Sequence, residues 1–161
     1  MHFYGIIKKR KSGDLMTEKM KIIDFLRENQ LDAIFVQKDE NYRYLSKFTG
    51  SDSYLLLTKE ELYLLTDSRY TEQARKEAAD YTVVDYKGHL AEIVAKLAGE
   101  YHIKTMGVET VFSYQMYLSF HEYMPNIEFR FSQIDRLRQI KSEEEISCIK
   151  EACRISDAGF K

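Results

Sequence analysis

The sequence predicts an α/β layer structure, a mixed sheet covered by helices on both faces. Segments with helical spacing alternate with short apolar runs along the chain. One pair of runs, 54–58 and 62–66, is separated only by Lys59-Glu60-Glu61 and breaks that alternation as a hairpin. The short runs are apolar at consecutive positions, as strands covered on both faces must be.

The elements follow in order. Met20, Ile23, Phe25 and Leu26 predict a helix over 17–30 with Thr17 able to cap it, and Ala33-Ile34-Phe35-Val36 reads as a strand. Residues 39–45 form a short helix opening a loop region, and Thr49-Gly50-Ser51-Asp52-Ser53 is a turn cluster. After the hairpin, Tyr70, Ala74 and Ala78 stand at helical spacing, and Thr82-Val83-Val84-Asp85 is a strand. Leu90, Ile93, Val94, Leu97, Ala98 and Tyr101 make the clearest helical stripe. Residues 105–108 are a short strand in which Gly107 marks close backbone packing, 113–124 a helix ended by Pro125, and 127–131 a final strand.

Ser142 and Glu145 form a capping box for a last helix, on which Ile146, Ile149, Ala152, Cys153, Ser156 and Phe160 share one face. That stripe needs a covering surface, so the expectation is a front part of a larger protein. The domain reading is a leader over 1–16, poorly ordered, a domain over 17–141, and over 142–161 the first helix of a further domain.

A net charge of −2 gives no reason to expect nucleic acid as a partner. No apolar run is long enough to cross a bilayer, so no membrane partner is expected, and Lys8-Lys9-Arg10-Lys11 interrupts any secretory signal. Cys148 and Cys153 lie five apart and read as reduced thiols of a cytoplasmic protein.

No self-contained active site is visible, and no catalytic or metal-binding residue is assigned. His2, His89, His102 and His121 share no ligand spacing, and His121-Glu122 continues as Tyr123-Met124-Pro125 rather than as a zinc-binding HExxH run. Nucleophile-elbow and phosphate-cradling motifs are absent from the sequence. Two polar segments stand out, 44–53 and 66–74. Their plainest reading is local: Asp67 or Ser68 as a helix cap, Arg69 paired with Glu72.

Three stretches together, YLSKFTGSDSYLLL (44–57), LTDSRYTEQA (65–74) and LRQIKSEEEISCIKEACRISDAGF (137–160), resemble the amino-terminal domain of the creatinase and prolidase family, the pita-bread metallopeptidases that cut Xaa-Pro bonds. The resemblance runs from about residue 19 onward, with Lys47 and Ser53 where glycine is common in the family. It implies a ribonuclease-H-like α/β layer that serves dimerisation and substrate access without carrying out catalysis. It implies that two divalent metals, manganese, cobalt or zinc, sit in a separate catalytic domain, and that a proline-containing peptide is the substrate. Asp39, Asp67, Arg69 and Tyr70 become candidates for contact with substrate or a partner subunit. A free-standing peptide- or protein-binding module of the same fold, and the amino-terminal domain of a creatinase-like amidinohydrolase, are the alternatives.

Overall fold

The computed structural model describes the backbone of residues 12–160 and the side chains of residues 19–160. Helix α1 (Ser12–Glu28) leads into strand β1 (Ala33–Val36), helix α2 (Asp39–Ser46) and the strands β2 (Tyr54–Thr58) and β3 (Leu62–Thr66). Helix α3 (Thr71–Glu77), β4 (Thr82–Asp85), α4 (Leu90–Glu100), β5 (Thr105–Val108), α5 (Tyr114–Tyr123) and β6 (Glu128–Phe131) follow. A 3-10 turn at Ile134–Arg138 precedes α6 (Glu143–Gly159).

The expected leader lies mostly outside the described residues, but residues 12–16 are already helical, so α1 starts five positions before Thr17. No proline interrupts 12–17, so nothing in the chain forces a start at the later residue. Among the described side chains of α1 the buried ones are Ile22, Phe25 and Leu26, whereas Met20 is exposed.

The sheet runs in the order β4-β3-β2-β1-β5-β6. Only β2 is antiparallel to its neighbours, so β1, β3, β4, β5 and β6 all point the same way. Because side chains alternate along a strand, the two faces build two separate cores. Ile34, Val36, Leu55, Leu57 and Leu64 pack against Ile22, Leu26, Tyr42, Phe48 and Ala74 from α1 to α3. Phe35, Leu56, Leu65, Met106 and Val108 pack against Val94, Leu97, Phe120 and Met124 from α4 and α5. Each fully buried leucine among them stabilises the fold by about 1.5–3 kcal/mol. The edge strands depart from the expected all-apolar pattern: β4 and β6 are half-buried, because an edge has one neighbour and thinner cover.

Gly107 is where the expectation of close packing holds. A Cβ there would stand 2.8 Å from Leu31 Cδ1 and 3.0 Å from Ile34 Cγ1. Lys47 ends α2 in the left-handed region (φ 62°), the conformation for which glycine is commonly used. Ser53, the other non-glycine, is buried and donates to Thr66 Oγ1 at 2.8 Å.

The capping box of α6 forms as expected, with Ser142 N on Glu145 Oε2 at 2.8 Å and Glu145 N on Ser142 Oγ at 3.2 Å. No residue of α6 is buried, and Ile149, Ile155 and Phe160 are exposed.

Candidate functional site at the carboxyl rim of the sheet

All four candidate residues lie at one end of the sheet, where the parallel strands finish. Asp39 follows β1, while Asp67, Arg69 and Tyr70 follow β3; Asp52 and Ser53 precede the antiparallel β2 at the same end. In open α/β sheets this is the end at which loops converge on ligands. One strand, β2, separates β1 from β3, so the two groups stand roughly 10 Å apart at 4.8 Å per strand.

The structure brings Asp67, Arg69 and Tyr70 together. Asp67 Oδ1 accepts the Arg69 amide at 2.8 Å, closing a turn, and Arg69 Nε and Nη2 return to the same carboxylate at 3.0 and 2.5 Å. Arg69 Nη2 also reaches Asp52 Oδ2 at 3.3 Å, and the guanidinium lies 5.4 Å from the Tyr70 ring centroid. Tyr70 in turn shares a hydrogen bond with Ser51 Oγ at 2.9 Å. Arg69 holds the Asp67 carboxyl below the usual carboxylate range, and Asp67 raises the Arg69 guanidinium. Both local readings are corrected here. Tyr70, not Asp67 or Ser68, occupies the cap position of α3, and Glu72 pairs with Lys76 at 2.6 Å instead of with Arg69. A bidentate fork onto a carboxylate two residues away outcompetes an i, i+3 contact.

Behind this cluster stand Tyr54 and Tyr86, ring centroids 6.1 Å apart, whose hydroxyls burial pushes up. The rim thus offers a two-thirds exposed guanidinium beside an aromatic wall. Hydrogen bonds occupy its Nε and Nη2. Chemically it can receive a carboxylate on the guanidinium and an apolar ring on the tyrosines.

Asp39 does not join that cluster; it is exposed and pairs with Arg43 at 3.5 Å. Beside it lies a second polar group that sequence reasoning missed. Glu109, just after β5, is buried and accepts from Gln37 N, Lys38 N and Asn41 Nδ2. Asp135 in the 3-10 turn accepts from Lys38 Nζ at 3.1 Å and Arg138 Nη2 at 3.2 Å. The one available signal was an isolated carboxylate directly after a short apolar strand.

A groove of about 370 Å³ opens between the starts of α4 and α5, lined by His89, Glu92, Ser113, Met116, Phe120 and Tyr123. None of the four candidate residues lines it. Among the described residues no group of three or more His, Cys, Asp or Glu side chains is arranged to hold a metal ion. The rim carboxylates do not fit a metal pair: Asp67 is engaged by Arg69, Asp135 by Lys38 and Arg138, and Glu109 by N–H donors.

The chain is similar to known proteins. The Xaa-Pro dipeptidase of Pyrococcus horikoshii is 33% identical over 150 residues, which take in 89% of this chain and 41% of the relative. The solved Xaa-Pro dipeptidase from Bacillus anthracis superposes with a TM-score of 0.84 at 32% identity, over 91% of this chain and 42% of that one. The solved N-terminal domain of the cytoplasmic peptidase PepQ from Mycobacterium tuberculosis H37Rv gives a TM-score of 0.68 at 26% identity, over 75% of this chain and 98% of that one. The chain spans about two-fifths of the length of the curated relatives it matches. Residues 20–140 match the Creatinase/Prolidase N-terminal domain, and the chain belongs to that family.

Proposed function

We propose that this chain is the non-catalytic amino-terminal domain of a metal-dependent Xaa-Pro peptidase, of dipeptidase or aminopeptidase type, serving dimerisation and substrate access. The supporting observation is the family match over 20–140, joined to relatives named for Xaa-Pro cleavage whose length is mostly outside the aligned region. In this reading the protein works in the cytoplasm as a homodimer. Two divalent metals, manganese, cobalt or zinc, belong to the catalytic part. The rim of Asp39, Asp67, Arg69 and Tyr70 faces a proline-containing peptide, with Arg69 suited to its carboxylate and Tyr54 and Tyr86 to its ring.

The test is to substitute Asp67 and Arg69 with Ala in the longer protein that carries this chain and a catalytic domain. A fall in kcat/KM for Xaa-Pro dipeptides with the dimer intact supports the reading; an unchanged value leaves both residues as scaffold. The 161-residue chain alone is expected to be inactive, and metal-dependent hydrolysis by it would overturn the assignment. An intact protein that acts only on a guanidino compound, or only binds peptide, would favour the amidinohydrolase or binding-module alternatives.

A further inference from the structure

Glu109 is a buried carboxylate, 3% exposed, and no Lys or Arg forms an ion pair with it among the described residues. Its partners are N–H groups of one segment, 37–41, which runs from the link after β1 into the first turn of α2. Oε2 accepts Gln37 N at 2.5 Å and Lys38 N at 2.7 Å, and Oε1 accepts Asn41 Nδ2 at 2.5 Å. Lys38 is the cap residue of α2 and makes no side-chain cap, while Glu109, one residue past β5, holds the two backbone amides that lead into the helix. Asn41 Nδ2 also reaches Asp135 Oδ1 at 3.2 Å, and Lys38 Nζ reaches Asp135 Oδ2. The segment is therefore gripped from both β5 and the 3-10 turn. Asp39 and Glu40 project from it, exposed, between the held residues.

An apolar side chain at 109 would fill the same space without the desolvation penalty of a buried charge. What the carboxylate adds is direction: two consecutive backbone N–H groups and one amide must point at it at once. The seam is polar beyond what packing needs. The four buried side-chain atoms without a hydrogen-bond partner among the described residues, Gln37 Oε1, Asn41 Oδ1, Ser132 Oγ and Arg138 Nε, all belong to residues around it.

We infer that Glu109 is the positioning residue that sets the 37–41 segment at the start of α2 and, through it, the place at which Asp39 meets a peptide substrate. The second half rests on the function proposed above; the first half does not.

Glu109→Gln tests the first half in the 161-residue chain by amide hydrogen exchange. A glutamine keeps the volume but places a donor against one set of donors. The Gln37 and Lys38 amides are expected to exchange about tenfold faster or more, the loss of one charge-assisted bond, while the Leu56 and Leu64 amides keep their rates. Unchanged protection at Gln37 and Lys38 overturns the inference. If Glu109→Gln does not fold, Asn41→Ala removes the Oε1 contact together with the contact to Asp135 and leaves Oε2 in place, and the same two amides decide in the same way. The second half is read in the longer peptidase from Asp39→Ala, Glu109→Gln and the double variant. A Glu109→Gln rise in KM that disappears on an Asp39→Ala background supports action through Asp39. Two rises that multiply make Glu109 merely structural and overturn that half. An Asp39→Ala KM equal to wild type sinks the substrate-facing reading, while exchange still decides whether Glu109 sets the segment.

Discussion

Asp32→Asn is the perturbation whose magnitude the structure allows to be worked. Asp32 sits between α1 and β1 and ties the start of β5 to it. Its Oδ2 accepts Lys104 N at 3.1 Å, Thr105 N at 3.0 Å and Thr105 Oγ1 at 3.0 Å, and its Oδ1 accepts Lys59 Nζ at 3.3 Å. Burial alone would raise this carboxyl, yet the hydrogen bonds hold it down from 3.8 to about 2. At 1.36 kcal/mol per pKa unit that displacement corresponds to about 2.4 kcal/mol. The side chain is 37% exposed, so solvent screening reduces the contribution to about 1 kcal/mol. The folded-state pKa lies below the unfolded one. The charge therefore stabilises fully above about pH 4, and the effect is lost as pH falls towards 2. Urea denaturation of both proteins from pH 7 to pH 2.5 is the assay. Asparagine is expected to be less stable by about 1 kcal/mol at pH 7, or roughly 2–4 °C in Tm, with the gap closing between pH 4 and the acid end. A gap that stays constant or widens on acidification would refute the reasoning.

Two further outcomes follow from packing and capping. Gly107→Ala is expected to lower stability by about 1–3 kcal/mol in urea denaturation, because its methyl would crowd Leu31, Ile34 and Ser132 at 2.8–3.1 Å; a neutral result would mean that these side chains give way. Ser142→Ala should remove about 1 kcal/mol from α6. Since no α6 residue is buried, circular dichroism and α6 amide exchange should register the loss while the sheet's denaturation midpoint stays put; a shifted midpoint would show α6 to be coupled to the core.

The strands were legible because each is a short apolar run between turn residues: 33–36, 54–58, 62–66, 82–85 and 105–108 come out with the bounds read from the chain. The capping box was legible for the same local reason, its partners being three residues apart. The family was legible through the resemblance of three stretches, 44–57, 65–74 and 137–160. Illegible were the early start of α1, which no residue signals, and the 3-10 turn at Ile134–Arg138, whose shape depends on docking against α2. At the candidate site, Asp67, Arg69 and Tyr70 were found in the chain, but the pairing of Arg69 was not. Its choice of Asp67 and Asp52 over Glu72 depends on how the turn after β3 closes beside the loop before β2.

By itself, then, the chain determined its strands and its layer class, since both rest on spacing between near neighbours, and its family through the resemblance of three stretches. Only the tertiary structure decided which carboxylates share a rim and what each one holds. Glu109 meets Asn41 across 68 positions and Gln37 across 72, a meeting that exists because β5 lies beside β1 in the sheet order. Strand order is set by the packing of whole faces, and no local pattern around Glu109 encodes it.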